Sequence, residues 1–170
     1  MADKEMNDTP INLKSLETLT ELFKESFDNE EKRKETLENK ASMVLGFSGI
    51  IAGLLTGLMS SSLNPNNLLY IIFFFASVLS FTVAGIFALL TVKLQNYQQP
   101  FRFATPEEID KMLRMEESVL LDEFIKNYSD SIFNNSTIND SKVFKLKIAF
   151  YSATLGIILT LIAALSTLLV

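Results

Sequence analysis

Three cations in a charged stretch, Arg102, Lys111 and Arg114, could meet a small anionic ligand, although nothing distinguishes them from ordinary surface charge. Acidic pairs occur at Glu107/Glu108 and Glu116/Glu117. They are adjacent on helical sequence with an exposed pattern, so a solvated face is the simpler reading. The chain has no His and no Cys. That removes the commonest general base, the commonest transition-metal ligand and all thiol chemistry. No phosphate loop, GxGxxG, HExxH or Cys pair is present. No catalytic residue, metal or cofactor is expected, and the chain reads as a non-enzyme. The residue types that recur at meaningful spacing are small ones: Gly49, Gly53 and Gly57 stand four apart, with Gly46 beside them. Glycines at that spacing share a helix face and let a second backbone approach closely.

These residues lie in a chain divided by charge. All 35 charged residues fall in 1–40 and 93–147. The stretch 41–92 has none, and neither has 148–170. A helix rises about 1.5 Å per residue, so roughly 20 apolar residues cross a hydrocarbon core about 30 Å thick. A charge at its centre would cost about 2.5–3.5 kcal/mol on insertion scales. The pattern predicts an all-α integral membrane protein: a three-helix transmembrane bundle with cytosolic amphipathic helices. Spans are expected at about 41–60 and 68–92, joined by a polar turn at 60–67 around Pro65, and at 148–170. Residues 1–40 and 93–147 are then cytosolic. By length the chain is one domain.

Lys and Arg set the orientation. The turn 60–67 and the C-terminus have none, whereas Lys32, Arg33, Lys34, Lys40, Lys93, Arg102, Lys142, Lys145 and Lys147 lie on the other side. The positive-inside rule places the N-terminus inside and the C-terminus outside. The expected location is the inner (plasma) membrane, multi-pass, with the first apolar segment as an uncleaved signal anchor. The net charge of −5 divides as 7 basic against 11 acidic residues in 1–40 and 8 against 9 in 93–147. Neither segment is a basic arm, so nucleic acid is not an expected partner.

Thr9-Pro10 is a helix start, and apolar residues from Leu13 to Phe27 recur at helical steps. Asp28-Asn29 is placed as an interruption, after which a charged helix enters the first span. Thr105-Pro106-Glu107-Glu108 reads as a capping box with Pro at the first position. Its helix is expected to end near 129–135, with 134–141 a polar connector and Asp140 or Ser141 capping the last helix. Span two carries a small-residue ladder at Ala76, Ser80, Ala84 and Ala88. Span three carries one at Ser152, Gly156, Thr160 and Ala164. These faces, the Gly46/Gly49/Gly53/Gly57 one included, either pack the three helices together or make a homo-oligomer, and for the second role the Gly49/Gly53/Gly57 face is the first choice. With no ionisable residue inside the spans, a proton relay is not expected.

Around Glu38-Asn-Lys-Ala-Ser-Met-Val-Leu-Gly-Phe-Ser-Gly-Ile-Ile-Ala-Gly-Leu-Leu55 the chain resembles the transmembrane effectors of Pycsar antiphage systems and, more distantly, SLATT-domain membrane effectors. The shared pattern is an acidic helix, Lys40-Ala41 at the membrane entry, a small-residue first span, a tight hairpin, a cytosolic helix and a basic turn (Lys142, Lys145, Lys147) into a final span. It covers most of 25–170. SLATT proteins are typically two-span, so the third span favours the Pycsar-like reading. The resemblance implies a membrane effector of a prokaryotic nucleotide-signalled antiphage system, acting by oligomerisation and membrane disruption or pore formation. Its expected partners are the lipid bilayer, further copies of itself and, as trigger, a cyclic nucleotide or a soluble sensor protein. The sequence holds no separate cyclic-nucleotide-binding domain. The competing class is a non-enzymatic membrane anchor that recruits a soluble partner through its cytosolic helices.

Overall fold

The computed structural model describes residues 13–62, 68–93, 95–101 and 105–166; the side chains of 56, 58–62 and 113 are not among those described. The expected Thr9-Pro10 start, the turn residues 63–67 and Arg102 lie outside the described residues. Four helices follow in order: α1 (Leu13–Ser62), α2 (Leu68–Val92), α3 (Pro106–Leu113) and α4 (Glu117–Ser166). The described residues contain no strand. The chain divides into two compact units, residues 1–31 with 97–136, and residues 32–96 with 137–170.

In the second unit, α1, α2 and α4 share one core. Leu37, Ala41 and Val44 of α1 meet Ala84 and Ala88 of α2 and Leu146, Ala149 and Ala153 of α4. A second cluster joins Leu55 to Phe74 and Phe81. The buried positions follow steps of three and four. On α2 they are Phe74, Ser77, Phe81, Ala84, Ala88 and Thr91; on α4 they are Lys142, Leu146, Ala149, Ala153, Gly156 and Ala163, with Thr160 half-buried. This 3.5-residue repeat keeps a seam on one side of a gently supercoiled helix. Alanine and glycine dominate the seam, so the backbones come close. Bulky residues point the other way: Phe47, Ile50, Leu54, Phe75, Leu79, Leu89, Leu155 and Leu161 are exposed. Small side chains inside and large apolar ones outside are what packing in lipid favours, where burial of Leu or Phe against protein gains little over burial in acyl chains.

Several hydroxyls inside the apolar helices are satisfied locally or across the seam, whereas the buried Ser48 hydroxyl of α1 has no hydrogen-bond partner among the described residues. Thr82, Thr91 and Thr154 donate to the carbonyls of Val78, Phe87 and Phe150, each 2.9 Å away. Ser77 donates to the Gly156 carbonyl at 3.0 Å and lies 2.6 Å from the Thr160 hydroxyl, while Ser80 donates to the Ser152 carbonyl at 2.7 Å. Among the described residues α2 and α4 are long and apolar enough to cross a membrane.

In the first unit, Leu16 and Phe27 of α1 are buried. The Tyr128 ring meets Phe27 and Phe101 edge-on, both at 5.8 Å, and Phe101 also packs on Phe124 at 4.3 Å. Asn135 fixes the extended segment before α3. Its amide oxygen accepts from the Gln98 N–H and its amide nitrogen donates to the Gln98 carbonyl, each at 3.0 Å.

Several expected boundaries are corrected. Asp28-Asn29 does not interrupt α1, which is helical throughout Leu13–Ser62. The helix opened by Pro106 stops at Leu113, where the Arg114 and Met115 N–H groups donate to Lys111 and Met112 in a tightened last turn. Residues 134–141 form no connector, and neither Asp140 nor Ser141 is a cap: both lie inside α4. The polar residues there are satisfied sideways, by Asn135 on Gln98 and Asp140 on Arg33, so the helix has no reason to end.

Candidate functional site

Where the charged part of the second unit meets its apolar part, α1 and α4 are joined by side chains. Lys142 is fully buried, and its ammonium donates to the Glu38 carboxylate across the seam. A buried ammonium is tolerated only with such a partner. One turn along, Arg33 donates to Asp140 at 2.6 Å, with both side chains more open to solvent. Asn139, one register position before Lys142, is also fully buried. This polar clasp sets the axial register of α1 against α4, because sliding either helix by a turn would strand a charge. The sequence reading placed Lys142 in a basic turn and missed the pair. The available signal was register: Lys142 begins the same repeat as Leu146, Ala149 and Ala153.

The glycines divide into two groups. A Cβ built at Gly46, Gly49, Gly53 or Gly57 meets nothing within 4 Å. Their face is turned away from the core contributed by Leu37, Ala41, Val44 and Leu55, and it is open. Gly156 differs: a Cβ there would stand 2.9 Å from two carbons of the Phe81 ring. Of the α2 ladder, Ala84 and Ala88 are buried, Ser80 is half-buried and bonded to α4, and Ala76 is half-buried. On α4, Gly156 is buried, Ser152 and Thr160 are half-buried, and Ala164 is exposed. The seam relies instead on Ala149, Ala153 and Ala163, together with Ser77 and Thr91 of α2, which the four-residue ladders skipped. A strict i, i+4 count drifts off a seam that alternates three and four.

Of the anion-contact residues, Lys111 and Arg114 are described and Arg102 is not. Lys111 lines a recess of about 250 Å³ in the first unit, with Phe101, Met112, Met115, Glu108 and Glu123. Two carboxylates there work against binding an anion. Arg114 is turned to Asp110, at 2.9 Å. Glu108 completes the expected capping box: Thr105 accepts from the Glu108 N–H, and Glu108 accepts from the Thr105 N–H, both at 3.3 Å. In the same unit Tyr128 has its hydroxyl pKa raised by burial and, secondarily, by the negative charge of Asp28.

No curated protein and no solved structure matches the chain. A family model does, described as the Pycsar effector protein domain, over residues 29–170. The match takes in the clasp, both buried seams and both sets of glycines. It leaves out residues 1–28 and covers most of the chain, and so the chain belongs to the Pycsar effector family.

Proposed function

We propose that this chain is a membrane effector of a cyclic-nucleotide-signalled antiphage defence. In this reading it crosses the inner membrane three times, with the N-terminus inside and the C-terminus outside. Once triggered, it assembles through the Gly49/Gly53/Gly57 face and breaches the membrane. Family membership supports the defence role. The outward bulk and inward alanines of the second unit support lipid as its surroundings.

The observation that carries the assembly step is the open glycine face. Within the protomer α1 packs with its opposite side, and no atom lies where the Cβ of residue 49, 53 or 57 would be. Glycine in the middle of a helix lowers its stability by roughly 0.5–1 kcal/mol relative to alanine. Three such residues on a face unused by the protomer are accounted for by close approach of another helix. The clasp of Glu38 and Lys142 gives a signal something to act on, since it holds α1 and α4 in one register.

The test is growth and membrane-potential dye uptake in cells expressing the full chain with a pyrimidine or purine nucleotide cyclase, beside Gly53→Leu. Depolarisation by the wild type that the variant loses is the expected result. Sustained potential in both, with the cyclase active, would count against membrane breach and favour an anchor that recruits a soluble partner.

A further inference from the structure

Two recesses on the second unit lie along the groove between α1 and α4. The first, about 310 Å³, is walled by Met43, Val44, Phe47, Phe150, Ala153 and Ile157 and has almost no polar lining. The second, about 470 Å³, has an apolar floor of Leu37, Val143 and Leu146, and at its edge stand Lys40, Lys147 and Tyr151. Phe150 lines both, and together they extend from Leu37 to Phe47 on α1 and from Val143 to Ile157 on α4. Lys40 and Lys147 are exposed and form no ion pair among the described residues, unlike Lys142 beside them. They are the last charged residues of α1 and α4 before the uncharged runs begin.

We infer that this groove is a binding site for one anionic phospholipid, with its phosphate between Lys40 and Lys147 and an acyl chain along Phe47, Phe150 and Ile157. The inference rests on the reading that α1 and α4 enter a bilayer at this level. Charge complementarity selects the ligand: two cations stand at one end of an otherwise apolar trough. Basic pockets between membrane helices are where anionic headgroups bind, and each Lys or Arg near the surface is worth about a five-fold gain in affinity. Length agrees. Lys147 and Ile157 are ten residues apart, about 15 Å along a helix, which is half of a core about 30 Å thick. The groove is therefore as long as one leaflet. Tyr151 stands where amphipathic rings concentrate, at the headgroup level.

The site has a consequence for the clasp. Lys147 is one turn beyond Val143 and a little more than one turn from Lys142, on the same helix that Glu38 holds. A headgroup bridging Lys40 to Lys147 would add a further tie between α1 and α4, on the membrane side of the Glu38–Lys142 and Arg33–Asp140 pairs.

The test is native mass spectrometry of the full chain released from detergent carrying either phosphatidylglycerol or phosphatidylcholine, with Lys40→Gln/Lys147→Gln and Lys93→Gln as variants. Wild type should retain phosphatidylglycerol over phosphatidylcholine by roughly thirty-fold, two lysines at about five-fold each. The double variant should lose that preference, and Lys93→Gln should keep it. Equal retention of the two lipids by wild type, or an unchanged preference in the double variant, overturns the site. So does retention of neither lipid with Phe47→Cys chains cross-linking to one another, which would put a second copy in the groove; the chain has no cysteine of its own. Lipid retention is read without any trigger or leak. A chain that binds phosphatidylglycerol but never depolarises cells would retain this site and lose the effector reading.

Discussion

The Phe81 ring occupies the space that a side chain on Gly156 would need, with two ring carbons 2.9 Å from a Cβ placed there. Phe81 is 1% exposed, and it is held by Leu55 and Phe74 on its other side. It cannot swing out without opening that cluster. Gly156→Ala should therefore destabilise the chain by about 1–3 kcal/mol from overpacking, against a helix-propensity gain of about 0.8–1 kcal/mol. Shrinking the ring with Phe81→Leu should make the double variant better than the sum of the singles. Thermal unfolding in detergent of the four proteins measures this coupling. Strict additivity would mean the ring and the glycine do not meet.

Gly53→Ala should act in the opposite direction in the same assay. No neighbour lies within 4 Å, so only the propensity gain of about 0.8–1 kcal/mol remains. A monomer destabilised by Gly53→Ala would show that the α1 face is already occupied within the protomer.

The joined clasp of Glu38 and Lys142 should show the asymmetry of buried charge. Glu38→Leu alone leaves a fully buried ammonium without its carboxylate, and loss of one partner of such a pair costs about 3–5 kcal/mol. Glu38→Leu with Lys142→Met removes both charges and should return most of that stability. Asp140→Asn, at the more open Arg33 pair, should change it by only about 0.2–1 kcal/mol. The check is the order of melting temperatures. A double variant as unstable as Glu38→Leu would mean that the clasp is needed for more than charge balance.

The helical class and the division of the chain by charge were legible because hydropathy acts over long windows. The capping box at Thr105 was legible because its four residues interact only with one another. The ends of α2 coincide with the expected 68–92, but the end of the Pro106 helix and the start of α4 were not legible. Asn134 to Ser141 has the composition of a loop, yet α4 continues through it because Asn135 and Asp140 find partners off the helix. The stop at Leu113 has no Gly or Pro to announce it. Of the small-residue ladders Ala84, Ala88 and Gly156 are buried, but a four-residue count cannot follow a three-and-four seam, so Ser77, Ala149 and Ala153 lay outside it. Pairing of Glu38 with Lys142 spans 104 residues and needed the fold.

Asn135 makes a separate prediction in the first unit. It is 1% exposed and closes both hydrogen bonds of the Gln98 backbone. Asn135→Ala loses two bonds, each worth about 0.5–1.5 kcal/mol net, and leaves two backbone groups to find water. Asn135→Asp should be no better. It still accepts from the Gln98 N–H, but it sets a carboxylate oxygen against the Gln98 carbonyl. Amide exchange at Gln98 should quicken in both variants. Protection restored by Asp would show that only the acceptor matters.

Tyr128 predicts a response to alkali. Burial and, secondarily, the nearby Asp28 carboxylate disfavour its phenolate, so its pKa in the fold lies above the ordinary tyrosine value of about 10. The folded state then holds the Tyr128 proton more tightly than the unfolded state does. The stability this contributes is fully present below pH 10 and is lost as pH rises through the folded pKa. Absorbance of ionised tyrosine against pH should show one group titrating late, and Tyr128→Phe should remove that component. The variant should also lose less stability than wild type between neutral pH and the upper end of the titration. Asp28→Asn should move the late component down by removing the smaller of the two causes, and leave the rest of the shift, which comes from burial against Phe27 and Phe101. A late component that Asp28→Asn abolishes entirely would reverse that ranking and make the carboxylate the main cause.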